Sequence, residues 1–254
     1  MLLPFFYVIL LTRIKVIFLK QNIDYKKLLL GMMNIVMYIF FIPLFCASLF
    51  QIFLPSLIQN NNELAVNICS FSIYLITIAY LLFTYRASII KEFQEYIKKL
   101  IPESFKTWFL GFLFMIVSNP IVINIVGSIA NNEEANRSII ASSPVYAIVS
   151  MVILGPIIEE FLFRKAFQNV FKNKYIFFLV TSFLFGFAHI FQFLDFTSFD
   201  SFIQTAPQLL FLIPYGGIGY IYAQSFYKHK NIFVSTGAHI LQNAIAVGIT
   251  MIGV

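Results

Sequence analysis

The sequence predicts an all-α membrane protein, a bundle of seven spanning helices preceded by one further N-terminal helix. Three observations predict this class: the composition, the length of the apolar segments, and the placement of the basic residues. Of the 254 residues, 60% are hydrophobic and 11% are charged, whereas a globular chain carries about 25% charged residues. The mean hydropathy is +0.86. Such a chain cannot cover a soluble surface, which argues against a water-soluble enzyme and against a nucleic-acid binder.

The apolar segments are long enough to cross a bilayer, which requires about 20 mostly apolar residues in a helix. Seven segments meet this requirement: residues 28–58, 64–83, 107–130, 144–170, 175–194, 206–227 and 231–254.

The N-terminal stretch 2–19 is ambiguous. Its uninterrupted apolar run covers only residues 2–12, and Arg13 and Lys15 follow. It lies either in the membrane interface or across the membrane as an eighth span whose basic side chains reach the headgroups.

The connections between the segments alternate in charge. On this assignment 16 of the 17 Lys and Arg residues fall on one side of the membrane, and Arg137 alone falls on the other. The positive-inside rule makes the basic side cytoplasmic. We therefore expect a multi-pass protein of the cell membrane, and the Ile, Phe, Asn and Lys bias suggests a bacterial source.

Residues 86–106 have helical spacing with one broad apolar face, which predicts an amphipathic helix on the inner leaflet; an ordinary cytosolic hairpin is the alternative. The chain then divides into residues 1–106, with the N-terminal membrane segments and this helix, and residues 107–254, with the helices that carry the polar groups described next.

Polar and ionisable side chains inside these apolar segments are the candidate functional residues, because a membrane interior tolerates them only with partners or a task. They lie on three predicted helices: Glu159, Glu160 and Arg164 on the first, His189 on the second, and His239 and Asn243 on the third.

Spacing predicts how these groups face one another. Glu160 and Arg164 are four residues apart and can form an ion pair that holds the helix in place, whereas Glu159 points about 100 degrees away. His239 and Asn243 are also four residues apart, so both project into one space.

A carboxylate beside an imidazole can take a proton from water, and a second imidazole with an amide can donate hydrogen bonds to an oxyanion. This set predicts attack of water on a peptide carbonyl. Glu159, His189 and His239 could instead hold a divalent metal, since two His and one carboxylate form a common zinc set. A lone intramembrane His can also be a purely structural hydrogen-bonding group.

These residues resemble the motif set of the CPBP intramembrane protease family, which includes type II CAAX prenyl endopeptidases and bacteriocin-processing and self-immunity proteins. The family pattern is EExxxR, then FxxxH, then HxxxN. The chain has EEFLFR at 159–164, FGFAH at 185–189 and HILQN at 239–243. The resemblance covers about residues 107–254, and Lys165 stands where many members have a small residue.

The resemblance implies an intramembrane endopeptidase acting on a membrane-associated peptide or protein within the lipid bilayer. By position, Glu159 activates water with His189, and His239 and Asn243 stabilise the oxyanion. Glu160, Arg164 and Phe185 support the motif.

The resemblance leaves the cofactor open, and we favour a metal-free site over one that holds zinc. Two other functions remain as hypotheses. One is a non-proteolytic membrane partner, such as a bacteriocin-immunity factor or a sensor-kinase modulator. The other is a proton-coupled transporter, against which the absence of a repeated half in the sequence argues.

Overall fold

The computed structural model describes residues 23–60 and 62–253, and within these ranges all regular structure is helical. The N-terminal helix predicted at 2–19 lies outside the described residues. In chain order the helices are α1 Tyr25–Phe53, α2 Pro55–Asn60, α3 Asn62–Glu95, α4 Ile101–Val126, α5 Asn131–Ser142, α6 Pro144–Lys165, α7 Lys174–Ala188, α8 Phe199–Thr205, α9 Leu212–His229 and α10 Ile232–Gly253.

Several helices contain turns that are wider or tighter than an α-helix. Wide π-helical turns occupy Met37–Phe41 within α1, Tyr96–Leu100 between α3 and α4, and Ile148–Leu154 and Phe161–Lys165 within α6. Tight 3-10 turns occupy Phe191–Phe193 and Ala206–Phe211.

Five helical stretches among the described residues are long and apolar enough to cross a membrane. The protein is therefore a multi-pass membrane protein, as predicted. The predicted count of seven spans is not confirmed, for two reasons. The predicted spans 64–83 and 107–130 both fall within one helical stretch, Leu64–Val126, and the predicted span 206–227 is not among the five.

The stretch Leu64–Val126 is 63 residues long, and its two arms run in opposite directions. Near the start of α3, the Asn67 side-chain amide donates a hydrogen bond to the hydroxyl of Ser143, the residue directly before α6. Helix α3 ends beside the C-terminus of α6, where Glu92 meets Lys165. Helix α4 begins at this same end and runs back alongside α10. The wide turn at Tyr96–Leu100 lies where the direction reverses, so this helix supplies two predicted spans.

Helix α9 lies at the centre of the bundle and packs against α4, α7 and α10. Its approach to α7 is close because both helices have a glycine at the contact. A Cβ added to Gly186 would lie 2.8 Å from the backbone nitrogen of Gly216, a distance that side-chain atoms do not tolerate. Gly186 and Gly216 therefore allow α7 and α9 to pack closely.

A buried polar network joins α3, α6 and α10 near the basic end of the bundle. Lys165 donates a hydrogen bond to the Glu92 carboxylate, and both residues are at least 93% buried. The other Glu92 oxygen accepts the backbone N–H of Ile232 at 3.0 Å. Asn231 donates to the Glu92 carbonyl at 2.7 Å and accepts from the Phe233 N–H at 3.0 Å.

This network satisfies backbone donors that the first turn of a helix leaves without partners. It therefore fixes the N-terminus of α10, the helix that carries His239 and Asn243, to α3 and α6. The network also accounts for Lys165, the residue that departs from the family pattern.

The substitution Lys165→Met tests this ion pair. Removing the ammonium leaves the Glu92 carboxylate buried without its charged partner, which costs about 3–5 kcal/mol. We expect a matching loss of unfolding free energy, measured by equilibrium unfolding in detergent micelles or bicelles.

The matched control is Lys106→Met, which removes an exposed partner of Glu103 and should change stability little. Equal effects of the two substitutions would contradict the role assigned to the buried pair.

Candidate active site

The two adjacent carboxylates of the EEFLFR segment have different environments because they leave α6 in different directions. Both lie in the α-helical turn Gly155–Glu160, directly before the wide turn Phe161–Lys165. Such wide turns within helices are frequent at functional sites. Glu160 is fully buried, whereas the Glu159 side chain remains 26% exposed.

Glu160 and Arg164 form the ion pair that their spacing predicts. The Arg164 Nε lies 3.5 Å from Glu160 Oε2, and both side chains are completely buried. The guanidinium also donates to the Gly219 carbonyl at 3.0 Å and lies 4.4 Å from the centroid of the Phe185 ring. Arg164 therefore ties α6 to both α9 and α7.

The Glu160 carboxylate has a second partner that sequence spacing does not predict. Its Oε1 lies 3.2 Å from His239 Nδ1. Because a carboxylate oxygen accepts, the Nδ1–H of His239 donates, and the other ring nitrogen, Nε2, points away from Glu160. Glu160 thus orients the His239 ring as well as pairing with Arg164.

Glu159 lies between the two imidazole rings. Its Oε2 is 3.7 Å from His189 Nε2 and 3.8 Å from His239 Nε2. This oxygen is buried and has no hydrogen-bond partner among the residues that the structure describes. The acid and the two imidazoles predicted to meet are therefore brought together by three different helices.

His189 is held from three sides at the C-terminal end of α7. Its Nδ1 lies 2.8 Å from the Phe185 carbonyl, which can only accept, so Nδ1–H donates and Nε2 faces Glu159. The Phe185 ring lies 4.6 Å from the imidazole, as the four-residue spacing predicts. On the opposite side Tyr215 stacks on the imidazole at 4.9 Å with an interplanar angle of 22°.

Asn243 lies one helical turn beyond His239, and its Nδ2 donates to the Met151 carbonyl at 2.8 Å. That carbonyl lies in the wide turn Ile148–Leu154 of α6. A carboxamide nitrogen carries two hydrogens. One of them is used in this bond, which fixes the amide, and the second remains for a ligand.

A cavity of about 370 Å3 adjoins these groups. His189, His239 and Asn243 line one part of it, together with Tyr215 and Tyr222. Apolar side chains form most of its remaining wall: Phe112, Met115 and Ile116 from α4, Ile218 from α9, and Ile245 and Ile249 from α10. Clefts and cavities with mostly apolar walls and a few convergent polar groups are typical ligand sites.

Sequence analysis missed two tyrosines of α9 that pack against the site. Tyr215 stacks on His189, and the Tyr222 ring lies 5.1 Å from the His239 ring. Tyr215, Ile218 and Tyr222 follow the i, i+3, i+7 spacing of one helix face. That spacing was the available signal, but in an aromatic-rich chain it does not stand out.

Glu159, His189 and His239 carry donor atoms of the types that bind metal ions. Two imidazole nitrogens and a carboxylate oxygen are the donors of many hydrolytic zinc sites. In the described part of the chain, however, no group of three or more His, Cys, Asp or Glu side chains is placed to hold a metal ion. As positioned, Glu159, His189 and His239 do not form such a group.

Comparison with known proteins agrees with the motifs. Residues 141–245 match the model of the family described as type II CAAX prenyl endopeptidase Rce1-like, and all three motifs lie within this range. The resemblance to the CPBP family that the motifs predict is thereby confirmed for this part of the chain.

One curated relative extends the comparison to a particular protein. Over 125 residues the chain is 29% identical to a Bacillus subtilis (strain 168) protein named "Putative membrane peptidase YdiL". The match covers 48% of this chain and 44% of the relative, so the chain spans less than half of that protein's length. No solved structure matches the chain.

The substitution Arg164→Lys tests how the buried ion pair holds the site. A lysine keeps the charge but lacks the planar fork that reaches Glu160 and Gly219 while it stacks on Phe185. We expect a lower unfolding temperature in detergent and increased solvent exchange at the backbone amides around His189.

Lys174→Arg is the matched control, because Lys174 is exposed at the start of α7, with its ammonium 5.0 Å from the ring centroid of Tyr175. If Arg164→Lys is as stable as this control, the fork geometry is not required.

Proposed function

We propose that this protein is an intramembrane endopeptidase that hydrolyses a peptide bond in a membrane-associated peptide or protein. The observation that carries the proposal is the position of Glu159 Oε2, less than 4 Å from an Nε2 atom of each of two histidines on other helices. The family match and the named relative support the same class of activity.

In the proposed mechanism Glu159 is the general base. A water molecule within reach of Glu159 Oε2 and His189 Nε2 gives a proton to the carboxylate as its oxygen attacks the peptide carbonyl carbon. His189 accepts a hydrogen bond from this water, because its own N–H is committed to the Phe185 carbonyl. The product of this step is a tetrahedral intermediate with a negative oxygen.

His239 and Asn243 stabilise that oxygen. The Glu160 carboxylate holds the Nδ1–H of His239, so a ring that also carries a proton on Nε2 can donate that N–H to the oxyanion, and it keeps this proton throughout the reaction. The second amide hydrogen of Asn243 adds another donor. Glu159 then returns its proton to the leaving nitrogen, the C–N bond breaks, and the products are a carboxylic acid and an amine.

The roles of Glu160 and Arg164 in this mechanism are indirect. They touch neither the water nor the peptide but hold His239 and Phe185 in place. The bilayer and the apolar walls of the cavity limit access of bulk water, which strengthens each of these polar interactions.

The decisive experiment replaces the proposed base. Glu159→Gln keeps the shape of the side chain but cannot take a proton, so we expect cleavage of a fluorogenic membrane peptide by the purified protein to fall by about 10²–10⁴-fold. Glu134→Gln, at an exposed position on α5, is the matched control and should retain full activity.

Full cleavage by Glu159→Gln would refute the proposal. If a cellular phenotype also survives Glu159→Gln, the alternative of a non-proteolytic membrane partner gains support, including a role in bacteriocin immunity or in modulation of a sensor kinase.

A second experiment tests the proposed metal-free chemistry. Because Glu159 makes both proton transfers, and His189, His239 and Asn243 supply the hydrogen bonds, we expect the cleavage rate to be unchanged after treatment with a strong chelator and after dialysis. Loss of activity that zinc restores would overturn the metal-free mechanism and make Glu159, His189 and His239 the ligands to test next.

A further inference from the structure

The cavity beside the site extends in one direction along the bundle. His189 and His239 line one part of it, Asn132 lies beside them through its hydrogen bond with Tyr215, and Asn136 and Thr250 line the remainder. Along α10 the distance from His239 to Thr250 is 11 residues, or roughly 16 Å. The cavity therefore reaches from the proposed catalytic groups to the helix α5, which joins α4 to α6.

The helix α5 lies at the end of the bundle remote from the basic residues. It supplies four polar side chains to the cavity, among them Glu133 and Arg137, which pair at 2.6 Å. The basic end carries Lys106, Lys228 and Lys230, beside the contact between Glu103 and His229. By the positive-inside rule, the α5 end of the cavity lies on the extracytoplasmic side.

The opposite direction is closed by packed side chains. Glu160, Arg164 and Lys165 lie between the site and the basic end and are at least 95% buried. The Ser104 hydroxyl bonds the Val234 carbonyl at 2.9 Å and joins α4 to α10 there. A smaller pocket at the basic end, lined by residues such as Lys172 and Lys230, shares no lining residue with the cavity.

The wall of the cavity also indicates what enters it. Ile116 of α4 and Ile249 of α10 line it and are themselves 50% and 64% exposed, so an apolar rim lies beside the polar α5 end. An extended peptide that leaves the lipid would place apolar side chains against this rim and polar groups against α5.

From this arrangement we propose that the substrate is a membrane-associated peptide whose cleaved segment lies on the extracytoplasmic side, entering past Asn132, Asn136 and the Glu133–Arg137 pair. The assignment of a substrate rests on the proposed function, but the direction of access does not.

Cysteine labelling tests the direction of access independently of activity. In a background with Cys46→Ala and Cys69→Ser, single cysteines are introduced by Asn136→Cys at the α5 end and by Lys228→Cys at the basic end. A membrane-impermeant maleimide is applied to intact cells and to inverted vesicles. We expect Asn136→Cys to be labelled in intact cells and Lys228→Cys only in inverted vesicles.

Labelling of Asn136→Cys only in inverted vesicles would overturn the proposal. A third variant, Thr250→Cys, reports on the cavity itself, because Thr250 lines the cavity from α10. We expect it to be labelled from the same side as Asn136→Cys, and labelling from the opposite side would also overturn the proposal.

The substrate is tested with two single-span reporters that carry the same cleavable segment, one on each side of the membrane. We expect cleavage of the extracytoplasmic reporter and its loss in Glu159→Gln. Cleavage of the cytoplasmic reporter alone would overturn the proposal. If neither reporter is cleaved while both cysteines label as expected, the direction of access stands and the protease function fails.

Discussion

The geometry of the candidate site depends on one buried carboxylate. Glu160 accepts from His239 on one oxygen and faces the Arg164 guanidinium with the other, in a place that has no solvent exposure. A charge at such a position is very unfavourable unless it is paired and hydrogen-bonded. Because its partners lie on α6 and α10, satisfying this charge fixes the separation of the two helices.

The same arrangement leaves the neighbouring carboxylate, Glu159, available for the proposed reaction. Glu160 occupies the Nδ1 side of His239, so only Nε2 of that ring faces Glu159. The Phe185 carbonyl does the same for His189. In each ring, the hydrogen bond made by Nδ1 determines that Nε2 is the nitrogen that faces the reacting groups. Two adjacent acids thus separate into one that holds the site and one that the mechanism uses.

The sequence predicted this division because it depends on local spacing. The pairing of Glu160 with Arg164 and the contact of Phe185 with His189 follow from helical periodicity. The convergence of Glu159, His189 and His239 follows from the need of polar groups inside a membrane for partners. The contact between Glu160 and His239 was not predictable, since two residues 79 positions apart meet only through packing of α6 against α10. The ion pair of Glu92 with Lys165 was missed for the same reason, and the count of spans remained unconfirmed because the reversal between α3 and α4 is helical throughout.

The anchoring of α10 to α3 has a consequence for how this protein can be divided. Residues 141–245 carry all three motifs, yet Glu92, which binds the start of α10, and Phe112 and Met115, which wall the cavity, lie earlier in the chain. A fragment limited to the matched region would expose an unpaired lysine and an open flank to lipid. The matched segment is therefore not a transplantable module, and any chimera between relatives must exchange the preceding hairpin together with it.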